Sequence, residues 1–90
     1  MNKDIMAKLI RVKGKVQGVG FRPFVYKIAK KNNLCGYVLN DSQGVQILIQ
    51  GSHKDIQSFE KELYENPPEI SQITEIKKTD STVFSPYHIL

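Results

Sequence analysis

Cys35 is the one cysteine in 90 residues, so the chain can build neither an internal disulfide nor a Cys-x-x-Cys metal pair. It suits a reducing compartment, and an isolated cysteine of this kind is usually a small buried side chain. No apolar run is long enough to cross a membrane, and the opening Met1-Asn2-Lys3-Asp4-Ile5-Met6 lacks the apolar core of a secretion signal. A cytoplasmic protein with no membrane partner is the expectation. Repeats, low-complexity tracts and linkers are also missing, and this length supports one hydrophobic core, which predicts one domain over 1–90 with an ordered core of about 8–90. His53 and His88 are too far apart for ligand spacing, so no metal site is expected. Acid is scarce in the first half. Residues 1–40 hold nine of the 13 Lys and Arg but only Asp4, whereas residues 41–90 hold four Lys and eight acids, a balance of +8 followed by −4. A basic half attracts nucleic acid, an acidic surface or a small phosphorylated substrate, and the field alone does not choose among them.

Hydrophobic spacing supplies the architecture. Ile10, Val12, Gly14 and Val16 alternate with Arg11, Lys13 and Lys15, the period of a strand with one inward face. Phe21, Phe24, Val25, Ile28 and Ala29 then recur at helical spacing, with Lys30 and Lys31 at the end where cations meet the negative pole of the helix dipole. Leu34 to Leu39 has room for a second strand, Asn40 to Gly44 reads as a turn, and Val45, Ile47 and Ile49 form a third strand paired with the second. Gln46, Leu48 and Gln50 alternate with them. Ser52 followed by Asp55 resembles a capping box ahead of Ile56, Phe59 and Leu63, and Asn66-Pro67-Pro68 ends that helix. Ile70 to Lys78 reads as a fourth strand of irregular alternation, and Tyr87 to Leu90 could add a short final one. The order β-α-β-β-α-β predicts an α+β, ferredoxin-like sandwich, with both helices on one face of an antiparallel sheet.

The first strand meets the first helix at Gln17-Gly18-Val19-Gly20-Phe21-Arg22-Pro23. Glycines let backbone N–H groups converge, the helix start adds positive partial charge, and a guanidinium can close the far side on an anion. Pro23 fits a first helical turn, where its missing N–H costs nothing. Arg22 therefore lies near the start of the helix, and its planar fork matches two phosphoryl oxygens. Asn40, 18 residues after Arg22 at the end of the second strand, can hold a water as a neutral donor and acceptor. No histidine or carboxylate stands in this constellation as an evident base. That favours an acyl phosphate over an inert ester, because its carboxylate leaves readily and its own phosphoryl oxygens can take the proton.

Rival motifs fit less well. The third glycine of a dinucleotide fingerprint falls on Pro23, and no Gly-Lys-Ser/Thr follows for a P-loop. An RNA-recognition module shares this element order, but its aromatic motif must lie on a central strand, where Pro23 would remove a ladder bond. A phosphate-docking domain that tolerates loss of Asn40 stays open.

Gly14-Lys15-Val16-Gln17-Gly18-Val19-Gly20-Phe21-Arg22 and Gly36-Tyr37-Val38-Leu39-Asn40 resemble the two signatures of the acylphosphatase family, in the family's order. The resemblance runs from about Leu9 through the last strand. It implies that Arg22 and the amides of Gln17, Gly18, Val19, Gly20, Phe21 and Arg22 bind the phosphoryl group, and that Asn40 orients the attacking water. Phe21-Arg22-Pro23-Phe24-Val25 and Asn66-Pro67-Pro68-Glu69-Ile70-Ser71-Gln72-Ile73 are further similar to the N-terminal domain of HypF-type carbamoyltransferases. That branch implies carbamoyl phosphate as substrate and a role in making the cyanide ligands of nickel-iron hydrogenases, with a maturation protein as partner. The chain would then be the N-terminal fragment of a longer enzyme. This domain would need no cofactor, ATP and zinc belonging to downstream domains.

Overall fold

A computed structural model describes residues 5–18, 20–69 and 71–84. The elements are β1 (Ile5–Lys15), α1 (Phe21–Lys31), β2 (Cys35–Asp41), β3 (Gly44–Ser52), α2 (His53–Glu65) and β4 (Gln72–Ser81). The four strands form one antiparallel sheet in the order β2-β3-β1-β4. Each helix carries the chain across one intervening strand, α1 over β3 and α2 over β1, which is the ferredoxin-like arrangement. Ile10, Val12, Val45, Ile47 and Ile49 of the sheet meet Phe21, Val25 and Ile28 of α1 and Ile56, Phe59 and Leu63 of α2 in one core. The period-two and helical patterns therefore face each other, as their spacing predicts.

Three local features go beyond the pattern. The irregular alternation of the fourth strand comes from a bulge: Ile76 pairs with Val12 and Ile73 with Gly14, and the register shifts between Lys13 and Gly14. One extra residue thus lets two isoleucines three apart turn to the same face. Gly14 is required there, since its φ is 127° and any Cβ would collide with the backbone of Gln72 and Thr74. At the end of α1, Asn33 adopts φ 58°, the N–H of Asn33 donates to the Lys30 carbonyl at 3.2 Å and that of Leu34 to Ala29 at 2.9 Å. This is a Schellman stop with asparagine in place of glycine, and it turns the chain straight into β2.

Gln50 departs from the outward polar role its alternation suggests, being only 5% exposed. Its side-chain amide donates to the Phe84 carbonyl at 2.6 Å and accepts from the Phe84 N–H at 2.7 Å, so the segment after β4 folds back across β3. Such two-way pairing makes a buried amide tolerable. The fourth strand runs Gln72–Ser81, shifted from the expected Ile70 to Lys78. Ile70 and the possible strand Tyr87 to Leu90 lie outside the described residues, as does His88.

Candidate active site

The loop between β1 and α1 is anchored at both ends by buried side chains. Val16 is 1% exposed on one side and Phe21 1% on the other, Phe21 packing at a tilt of 56° against Phe24. Between them Gly18 and Gly20 have φ of 74° and 78°, a left-handed backbone that costs other residues about 1–2 kcal/mol. A Cβ on either would meet nothing within 4 Å, so the glycines serve backbone conformation and not crowding. Gly20 caps α1 without any side-chain cap bond, and no acidic residue stands in the first turn. The first helical bond runs from the Phe24 N–H to the Gly20 carbonyl at 3.2 Å. Pro23 has no N–H, so the amides of Phe21 and Arg22 are the helix's remaining first-turn donors toward an anion.

Asn40 arrives from the far side of the sheet. It is the penultimate residue of β2 and pairs with Val45. Val16, Gly18, Gly20, Phe21, Arg22, Pro23 and Asn40 together line a cavity of about 210 Å³. That space is ample for a phosphoryl group and an attacking water. Among the described residues neither the Arg22 nor the Asn40 side chain is tied up in a hydrogen bond, and Arg22 joins none of the ion pairs. Arg22 is thus exposed at the cavity beside uncapped amides, with no described carboxylate to neutralise it.

Gln17 behaves differently from the rest of the loop. Its side-chain Nε2 donates to the Asp41 carbonyl at 2.7 Å and to the Gly44 carbonyl at 3.0 Å, turning away from the cavity. Asp41 in turn accepts the Gln43 N–H on Oδ1 at 2.8 Å and the Arg11 guanidinium on Oδ2 at 3.1 Å. The Gln43 N–H, with the Arg11 bond and charge behind it, holds the Asp41 carboxyl below its ordinary value against a smaller opposing effect of desolvation. Val19 lies outside the described residues.

Sequence reasoning missed the Arg11-Asp41-Gln17 network. Arg11 reads as an outward strand residue and Asp41 as a turn residue, and only the strand register brings them together. A larger cavity of about 280 Å³ opens between α1 and the β2 edge, lined mostly by apolar side chains such as Val25, Ala29 and Val38, and holds neither Arg22, Asn40 nor any residue of the glycine loop. The RNA-type alternative loses its stacking platform here, because Phe21 and Phe24 lie on α1 and Phe21 is buried. Among the described residues no helix is long and apolar enough to cross a membrane, and no three His, Cys, Asp or Glu side chains cluster.

Comparison with known proteins agrees with this fold. The acylphosphatase family model matches residues 8–88. A probable carbamoyltransferase HypF of Methanocaldococcus jannaschii is 57% identical over 67 residues, covering 74% of this chain and 9% of that protein. The acylphosphatase of Bacillus subtilis is 42% identical over 80 residues, covering 88% of this chain and 87% of its own. A crystal structure of full-length HypF, in a phosphate- and nucleotide-bound form, superposes with a TM-score of 0.90 at 48% identity, over 92% of this chain and 11% of that one. The chain thus spans about a tenth of these carbamoyltransferases and most of the smaller enzyme. With its fold, its glycine loop and the family model running nearly end to end, the chain belongs to the acylphosphatase family.

Proposed function

We propose that the cavity at the α1 N-terminus hydrolyses acyl phosphates, with Arg22 and Asn40 as its catalytic residues. The observation that carries this reading is the convergence of Arg22, Asn40 and the glycine loop on one cavity, with Arg22 unpaired by any described carboxylate. The phosphoryl dianion sits against the loop amides, and the Arg22 fork binds two of its oxygens. These donors gain most as charge shifts toward the transferring group. The Asn40 carboxamide holds a water in line with the bond that breaks. Water oxygen bonds to phosphorus, the phosphorus to acyl-oxygen bond breaks, and the carboxylate leaves with the electron pair. The water's proton ends on a phosphoryl oxygen. No protein base is required, which matches a site whose lining holds no carboxylate or histidine.

The preferred substrate on this reading is carbamoyl phosphate, giving carbamate and phosphate as the first step of carbamoyl transfer in hydrogenase maturation. Support comes from the HypF relatives. In that setting the chain is the N-terminal part of a larger cytoplasmic enzyme, and its partners are the downstream domains and a maturation protein. ATP and zinc are left to those domains. A second reading, hydrolysis of acyl phosphates in general, is favoured by the match along most of the Bacillus subtilis acylphosphatase.

Phosphate release from carbamoyl phosphate and from an aromatic acyl phosphate separates the two. Wild type should turn over carbamoyl phosphate at least as well as the aromatic compound, and Arg22→Ala should lower kcat/KM on both by about 10²–10³-fold. Turnover confined to the aromatic compound supports the general reading. Full turnover by Arg22→Ala contradicts the site itself, and phosphate binding without turnover of either compound points to a docking domain.

A further inference from the structure

We infer that Gln17 is a positioning residue, whose side chain holds the strand end bearing Asn40 in register with the phosphate loop. The inference rests on the hydrolytic reading above and adds the element that joins the two halves of the site. Those halves lack a direct ladder. Arg22 and the loop follow β1 at the centre of the sheet, Asn40 sits on β2 at its edge, and β3 lies between them. Gln17 spans that gap. Its Nε2 places both hydrogens on carbonyls that bracket the β2–β3 turn, those of Asp41 and Gly44, at 2.7 and 3.0 Å. Asp41 is the residue immediately after Asn40.

The turn it grips is itself braced. The Gln43 N–H and the Arg11 guanidinium hold the two oxygens of Asp41, and the second Arg11 nitrogen donates to Gln46 Oε1 at 3.1 Å. Gly44 has φ 138° and lies so close to the Val12 carbonyl that no side chain fits. A stiff turn tied to a glycine loop by one amide gives the loop a fixed distance to Asn40. With both donors used in this way, the Gln17 side chain acts through Asn40 and leaves the phosphoryl group to the backbone and Arg22.

Positioning and binding therefore separate in an experiment. Gln17→Met keeps the length of the side chain and removes its donors. Against an aromatic acyl phosphate its kcat should fall about 10–100-fold, while its affinity for inorganic phosphate changes less than about threefold and its thermal midpoint stays close to wild type. Gln17→Asn, which keeps the donors on a shorter stem, should fall between the two and carries both readouts if Gln17→Met does not fold. A second readout needs no turnover. In wild type, inorganic phosphate should shift the NMR signals of the Asn40 side-chain amide together with those of Gly18 and Gly20, and in Gln17→Met only the loop signals should move.

Unchanged kcat overturns the inference, and so does an equal loss of kcat and phosphate affinity. Wild type that gives the coupled NMR response but hydrolyses no acyl phosphate removes the hydrolytic reading and leaves the positioning role standing. Absence of any response at Asn40 in wild type removes the positioning role itself.

Discussion

The chain makes a strand-to-helix crossing twice, and the two helices begin in opposite ways. α2 starts directly from β3 at Ser52, whose Oγ accepts the Asp55 N–H at 3.1 Å, and Asp55 adds a negative charge to the first turn. Its positive end is satisfied from within. α1 starts after Gly20 in a left-handed conformation, with no side-chain cap, no acid in the first turn, and Arg22 at the second helical position. Backbone donors and a guanidinium are left facing a cavity. A helix start of the first kind serves stability. The second kind gives up that stabilisation and leaves positive charge open at the cavity, which on the proposed function a phosphoryl group completes.

Between the two helix starts, the larger effect on turnover should come from forcing the first crossover away from its left-handed cap. Gly20→Ala strains a residue at φ 78° by about 1–2 kcal/mol and moves the amides of the cradle. Acyl phosphate turnover should drop roughly tenfold or more, together with a lower thermal midpoint. Calorimetry and phosphate-release kinetics on the same sample test this. Ser52→Ala should do the reverse at the second crossover: it costs about 1 kcal/mol of stability by removing the cap, and leaves kcat/KM at the wild-type value. A large loss of activity in Ser52→Ala would erase the distinction between the two ends.

The smallest effect concerns acid. The carboxyl of Asp41 titrates below its ordinary value, first because the Gln43 N–H donates to it and then because Arg11 lies beside it. A depressed carboxylate stabilises the fold fully above the unfolded pKa of ~3.9 and loses that contribution as pH falls through the folded value. Thermal midpoints of wild type and Asp41→Asn should differ modestly near neutrality and converge below about pH 4. An offset that persists unchanged in acid would mean that the charge of Asp41 does not brace the turn.

Much of this contrast was legible in sequence, because its causes are local. Ser52 three residues before Asp55 announces a capped helix, and Gly18, Gly20 and Pro23 announce an uncapped one. The inward faces of β1, β3 and both helices followed from spacing alone. What stayed hidden depends on register. Gln17 reads as one more loop residue until the β2–β3 turn is known to lie beside it. The bulge that reconciles Ile73 with Ile76 requires the pairing to Gly14 and Val12, and the buried Gln50 requires the return of Phe84. In each case a polar or irregular position finds its partner 24 or more residues away, or through the pairing of two strands. Periodicity carries no such information.

On the proposed function, the open start of α1 binds the phosphoryl group while Asn40 supplies the positioned water. Acyl phosphate kinetics and inorganic phosphate binding, measured together on wild type and Asn40→Ala, test it most directly. In Asn40→Ala kcat should fall by about 10²-fold or more, with phosphate affinity and thermal midpoint close to wild type. Wild-type turnover by Asn40→Ala would contradict it.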